Sequence, residues 1–377
     1  PTNTPPPTYT PRPPQPPTYT PTPTAEAPPS VQAVTPNTQV NTAPAAITIT
    51  GLNFKPGCSA SLGTVPLTVT NCLSTEIAAW VPVDLAAGYY DLTVTNTDGR
   101  SGTLTGAYTA TNPAPVVTSI LPPLSEVNTD PLVTITGSDF CASGTPGSLQ
   151  VSLDGTLLTN VTYVSPTLLT AVVPAGSQGM ALGVYTLTVT NPGPTAPSGS
   201  LPDAFALYTY TTAVTCTAGG VSDCGNAGGP PDGMSASITS TGVITLDFGL
   251  GGGITDGPGY DMVFYEWPHP PGILLDYVII DLSADGATWY TVFGWDGVAG
   301  GVDGTNIDSY ATDGNGEQEN EPIDANDLYP GPGGLSTGIA IDIGRWTPPG
   351  PSFHLIRFTY PSGGTDYGQV DAVLRLH

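Results

Sequence analysis

Positive charge is what this chain has least of. Six of its 377 residues are Lys or Arg against 31 Asp or Glu, leaving a net charge of −25. A surface of that sign repels nucleic acid and anionic membranes, and excludes both as partners. The single lysine, Lys55, excludes chemistry built on a lysine base or Schiff base. Three histidines, and five cysteines without close Cys/His spacing, exclude a zinc site of the usual kind. No apolar run reaches 18 residues, so no segment reads as a membrane-spanning helix. Helical periodicity is also missing. What is abundant is Gly (47) and Pro (43), alongside 39% hydrophobic residues, a mixture that fits short strands joined by tight turns. The length suggests two or three domains.

The five cysteines favour disulfides in an oxidising exterior. Pairing by proximity joins Cys58 with Cys72 and Cys216 with Cys224, leaving Cys141 free, or bonded to another chain. A chain that starts at Pro1 is expected to be a processed or partly observed product, and an upstream signal or anchor is compatible with it.

Residues 1–28 cannot build a core. The unit PPTYTP occurs at Pro6–Pro11 and again at Pro16–Pro21. Proline fixes φ and biases its predecessor toward extended backbone, so the segment is expected to be a polyproline II arm, roughly 90 Å long at ~3.1 Å per residue. An arm without a core is held still only by what it touches, and Tyr9 and Tyr19 are its candidate anchors on a neighbouring copy. Its threonines are candidates for glycosylation, as is Asn160 in an NVT sequon.

An internal repeat follows. ITITGLNF (Ile47–Phe54), AAWVP (Ala78–Pro82), GYYDLTVTN (Gly88–Asn96) and AYT (Ala107–Thr109) return as VTITGSDF (Val133–Phe140), TAVVP (Thr170–Pro174), GVYTLTVTN (Gly183–Asn191) and ALYTY (Ala206–Tyr210). Apolar residues alternate within each block, as in strands with one buried face. With PSVQAVTP (Pro29–Pro36) and PVVTSILPP (Pro115–Pro123) as openings, both units resemble IPT/TIG domains. That resemblance implies an immunoglobulin-like β-sandwich and a scaffolding or binding role, and it carries no catalytic residues.

Residues 211–377 hold 21 of the 31 acids. Strands are expected at Val243–Gly249, Tyr260–Trp267, Asp276–Val292, Gly338–Gly344, Phe353–Tyr360 and Gln369–Leu376, with a hairpin at Asp285-Gly286. An antiparallel jelly-roll-type sandwich follows. The S-x-D-G-x-x-W run (Ser283–Trp289), the R-F strand and the closing V-D-A-V resemble discoidin or galactose-binding-like surface domains. The expected architecture is therefore all-β, with an arm (1–28), two IPT/TIG-like sandwiches (29–111 and 112–210) and an acidic jelly roll (211–377).

Candidate chemistry is sparse. Asp256, Asp261 and Glu266 surround a Pro-Gly turn, and Asp371 arrives from another strand, a set of oxygens suited to calcium; solvated turn acids are the alternative. The run from Asp313 to Asp324 has the oxygen spacing of an EF-hand loop, yet Gln318 stands in the glycine position and Asp324 in that of the closing Glu. No nucleophile elbow accompanies His269, His354 or His377, so an enzyme is not expected. Of Trp267, Trp289, Tyr290, Trp295 and Trp346, the two beside proline-rich turns, Trp267 and Trp346, are the candidates for stacking on sugar rings. Two functions fit. One is an extracellular, cell-surface structural subunit of a filament, sheath or stalk whose arm docks on copies of itself. The other is a surface adhesin or carbohydrate-binding protein acting through the last domain, with glycans as partners.

Overall fold

The computed structural model describes residues 4–5, 11–12, 14, 26–298, 301–312, 317–331 and 336–377. The chain is nearly all β, and it divides into two compact units. Tyr9 and Tyr19 lie outside the described residues.

The first unit comprises residues 1–37, 44–82 and 90–108. Ser30–Thr35, Ala45–Leu52, Glu76–Val81 and Thr68–Cys72 form one antiparallel sheet in that order. Alternation places Ile47, Ile49, Ile77 and Ala79 inside, and Leu62, Leu92 and Val94 of the other sheet are buried likewise. Cys58 and Cys72 are disulfide-bonded. The end of the arm lies on this sandwich: the Glu26 carboxylate pairs with Lys55, its carbonyl accepts from Arg100, and the Pro28 carbonyl accepts from Asn53 Nδ2 at 3.2 Å.

The second unit (38–43, 83–89 and 109–377) contains the second repeat and everything after it. Val116–Leu121, Leu132–Ser138, Leu168–Val172 and Thr159–Ser165 reproduce the first sheet's order. The same β-bulge recurs in the opening strand, between Val31 and Ala33 in one copy and between Val117 and Ser119 in the other. The facing sheet does not stop at the end of the repeat. Strand Ser198–Tyr210 pairs through Thr209 and Tyr210 with Arg375 and Leu374, and the sheet continues through Met262–Tyr265 and Ser336–Ile341. Opposite it, Val214–Cys216, Val243–Asp247, Leu355–Thr359, Val278–Ser283 and Tyr290–Trp295 form a five-stranded antiparallel sheet. Phe264, Phe293, Trp295, Phe353 and Phe358 fill the space between the two sheets. Cys216 and Cys224 are also disulfide-bonded, and Cys141 is free.

The repeated sequence blocks are explained by close contacts. A Cβ on Gly51 would lie 2.1 Å from the Ser30 carbonyl, and on Gly137 2.1 Å from that of Val116, each beside its own Phe54 or Phe140 ring. Gly102 and Gly199 meet the Pro29 and Pro115 carbonyls in the same way, at 1.9 and 1.8 Å. Gly199→Ala should therefore push the opening strand off its neighbour and cost about 2–4 kcal/mol. Gly147→Ala, with open space around it but a φ of +98°, isolates the smaller cost of backbone strain alone. Thermal unfolding of both variants separates the two effects, and a Gly199→Ala melting point equal to that of the parent would contradict this reading.

Candidate functional site

The four acids expected to share one ion occupy three places. Asp256 and Asp261 do come together, joined by Asp342, with one carboxylate oxygen of each within 4.8 Å of the others. Asp261 is fully buried, and its oxygens accept the Gly257 and Ile343 amides at 2.7 and 2.9 Å. Burial raises its carboxyl to about 7 against the pull of those two amides, with Asp342 and Asp256 adding to the rise. Three carboxylates, one of them with both oxygens engaged by backbone donors, offer fewer free oxygens than the six to eight that calcium takes.

Glu266 sits at the other end of strand Met262–Tyr265, about 16 Å from Asp261 at the rise of an extended strand. Asp371 is adjacent to it through the backbone, its amide donating to the Tyr265 carbonyl at 2.9 Å. Its side chain turns to a different task, accepting the Gly233 amide at 2.9 Å and the Asp232 amide at 3.3 Å. Burial raises Asp371 to about 6 despite these bonds.

Of the EF-hand-like run, Asp313 and Asn315 lie outside the described residues. Glu317, Glu319 and Asp324 point at protein donors. Glu317 accepts the Asp296 amide at 3.1 Å, and Asp324 accepts that of Asn326 at 2.8 Å. Glu319 binds Tyr360 through its hydroxyl and takes the Thr365 and Asp366 amides at 2.9 and 3.0 Å. Desolvation opposes ionisation of Glu319, yet these donors bring it down to about 2.

The tryptophans also separate. Trp295 is fully buried and donates to the Gln318 carbonyl at 2.8 Å. Trp289 lies under the Arg357 guanidinium at 4.2 Å, and Tyr290 packs edge-on against Phe353. Trp346 stacks on nothing in solvent. It packs against the core, and its indole N–H donates to the Asp303 carbonyl at 3.0 Å. Of this group Trp267 is the exposed member, at 46%; Trp80, 45% exposed, lies in the first unit.

Trp267 borders a cleft of about 280 Å³ that it shares with His269, Leu274, Asp276, Asn320, Asp366, Tyr367 and Gln369. Local structure explains how these meet. Glu266 and Trp267 leave the sheet at the end of Met262–Tyr265, where Pro268 prevents further pairing. Gly272–Leu275 pairs with Glu321–Asp324, bringing Asp276 and Asn320 to the same end of that ribbon. Asn320 enters the ribbon with φ at +62°, a left-handed turn that Asn tolerates. Glu319 then ties the ribbon to the Thr365–Asp366 loop, fixing the wall that carries Tyr367. Two further depressions continue the cleft, one sharing His269 and Leu274, the other sharing Tyr367.

Sequence reading missed the floor of this cleft. Asp276 is 5% exposed, and its amide donates to Glu266 Oε1 at 3.1 Å. Burial, Asp366 and Glu319 raise the Asp276 carboxyl to about 7, while the neighbouring Glu266 carboxyl pulls the other way. Glu266 is raised well above the carboxylate range by burial and by the Asp276 charge, so it is the protonated member. The local signal was an acid directly after an apolar strand, in LLDY, and nothing in it names Glu266 as a partner.

A family model described as IPT/TIG domain matches residues 115–206. No curated protein matches the chain. Among solved structures, surface glycan-binding protein PbSGBP-B from Prevotella bryantii is similar at 14% identity and a TM-score of 0.36, over 93% of this chain and 98% of that one. SGBP-B of the Bacteroides ovatus mixed-linkage glucan utilization locus, in complex with a mixed-linkage heptasaccharide, gives 13% identity and a TM-score of 0.23, over 93% and 75%. The plexin A4 extracellular region gives 12% identity and a TM-score of 0.22 over 48% of this chain. The chain spans about a fifth of the length of the plexin structures it matches.

Proposed function

We propose that this chain is an extracellular surface protein whose C-terminal sandwich binds a carbohydrate in the Trp267–Tyr367 cleft. The immunoglobulin-like sandwiches, one of them an IPT/TIG domain, act as its stalk. The observation that carries the reading is the cleft itself: two exposed aromatic rings, at 46% and 44%, beside carboxylate and carboxamide groups on a wall that Glu319 holds rigid. Aromatic faces take the apolar C–H faces of sugar rings, while planar polar side chains satisfy the hydroxyls. Two disulfides support an extracellular setting. Among the described residues, no helix is long and apolar enough to cross a membrane.

Binding is favoured over hydrolysis because Glu266 is 1% exposed and stands behind Asp276, where it cannot face Asp276 across a sugar bond. Trp267→Ala should weaken glycan binding about five- to thirtyfold, from the ~1–2 kcal/mol of contact that the indole supplies, with no change in melting temperature. A glycan array followed by calorimetry checks it, and unchanged affinity would remove the cleft from the function.

The filament role is a separate proposal carried by the duplicated PPTYTP unit. Its test is deletion of residues 1–28, which should abolish polymers seen by negative-stain microscopy while leaving folded monomers.

A further inference from the structure

We infer that the ligand of the Trp267–Tyr367 cleft carries a protonated amine, so that the sugar taken there is an amino sugar; this rests on the carbohydrate reading of the cleft. Three observations support it. Asp276 and Asp366 both line the cleft, and only His269 among the lining residues can bear a positive charge. Asp276 is nine-tenths or more buried, so its carboxylate has lost most of its water without gaining a cation. Behind it stands Glu266, 1% exposed, whose Oε2 has no hydrogen-bond partner.

Hydroxyl groups could donate to Asp276, but they would leave its charge uncompensated. An ammonium group supplies both the charge and three donors, and it can lie against the exposed Trp267 face. An acidic sugar meets Asp276, Asp366 and, behind the wall, Glu319, in a chain of net charge −25, and is repelled. The groups whose protonation bears on the site are Asp276, Glu266, Asp366, Glu319 and His269. Asp276, held up by burial and by its acidic neighbours, ionises when an ammonium group arrives, so binding releases protons to the buffer.

The test is calorimetry on the full chain at about pH 7 with two probes of equal length, a glucosamine oligosaccharide and its N-acetylated counterpart. The amine-bearing oligomer should bind about tenfold tighter at low salt, and the gap should narrow at high salt. Its binding enthalpy should vary with the ionisation enthalpy of the buffer. Asp276→Asn should bring the two affinities together. Asp366→Asn, at an exposed position that leaves folding intact, should do so in part. Equal affinities for the two probes in the parent chain overturn the inference and leave the carbohydrate reading standing. Binding of a neutral glycan with none of the glucosamine oligomer does the same. Absence of binding to every glycan overturns both.

Discussion

The chain should melt roughly 10 °C higher at pH 5 than at pH 8, the reverse of what ionised, salt-bridged carboxylates produce. The cause is the set of acids that the C-terminal sandwich buries. Asp261 and Asp276 are raised to about 7 and Asp371 to about 6, in each case by burial first, and Glu266 is raised well above its ordinary range. In the unfolded chain all four lose their protons near pH 4. Between about pH 4 and 7 the native state therefore holds more protons than the unfolded one, and stability falls as pH rises. Their contribution is fully present below the unfolded values and lost as pH climbs through the folded ones. Even about 3 kcal/mol of this linkage gives a shift of the stated size, at roughly 2–4 °C per kcal/mol for a domain of this length. Self-repulsion of a chain with net charge −25 acts in the same direction.

A second set of acids opposes the trend at the low end. Glu319 is brought to about 2, and Asp247 and Asp285 are lowered by hydrogen bonds, from His354 and from the Thr288 amide respectively. What these contribute is lost as pH drops below about 4, so the optimum falls between roughly 4 and 5. Glu266→Gln separates the causes. It should be nearly neutral at pH 5 and stabilising at pH 8, flattening the profile. A melting temperature that rises from pH 5 to pH 8 would contradict the assignment of these carboxyls as neutral.

The repeat was legible because alternation dictates which residues face inward, and Ile47, Ile49, Val133 and Ile135 are inside as their period demands. The aromatic residues were less legible, since their side chains answer to hydrogen bonds as well as to burial. Trp346 beside a proline-rich turn reads as a surface ring, but the Asp303 carbonyl turns its indole inward. The cleft was legible only in part. Trp267 stands out in WPHPP, whereas Asn320 and Tyr367 are far from it in sequence and come near only through the pairing of Gly272–Leu275 with Glu321–Asp324 and the Glu319 clamp. The calcium set failed to assemble for a related reason. The four-residue strand Met262–Tyr265 puts Asp261 and Glu266 at opposite ends, which their closeness in sequence conceals. Asp342, which does join Asp256 and Asp261, sits at the end of strand Ser336–Ile341, and no sequence neighbour connects it to them.

Asn191→Ala should destabilise the second sandwich by about 3–4 kcal/mol, more than any exposed substitution in the same strand pair. In sequence Asn191 is merely the last letter of TVTN, a strand end. In the fold it is fully buried, and it uses both ends of its carboxamide. Its Oδ1 accepts the Cys141 amide at 2.9 Å, while Nδ2 donates to the Asp139 and Pro113 carbonyls at 2.7 and 2.9 Å. Asp139 itself has φ at +60°, so the clamp holds a backbone turn that would otherwise relax. Alanine takes the side-chain partner from three part-buried backbone groups, and only the Asp139 carbonyl keeps another, the Cys141 thiol at 3.5 Å, so part of the desolvation cost goes uncompensated. The first sandwich supplies the internal control. Asn96 occupies the matching position and makes two such bonds, from the Lys55 amide and to the Asn53 carbonyl, at 3.0 and 2.8 Å. Asn96→Ala should therefore cost less, about 2–3 kcal/mol. Asn191→Asp tests the chemistry directly: it keeps the shape and the acceptor for Cys141 but turns an oxygen toward two carbonyls, and it should be no more stable than the alanine variant. Denaturant unfolding of the three variants fixes the order, and an Asn191→Asp protein as stable as the parent would show that the carboxamide donors carry no part of the fold.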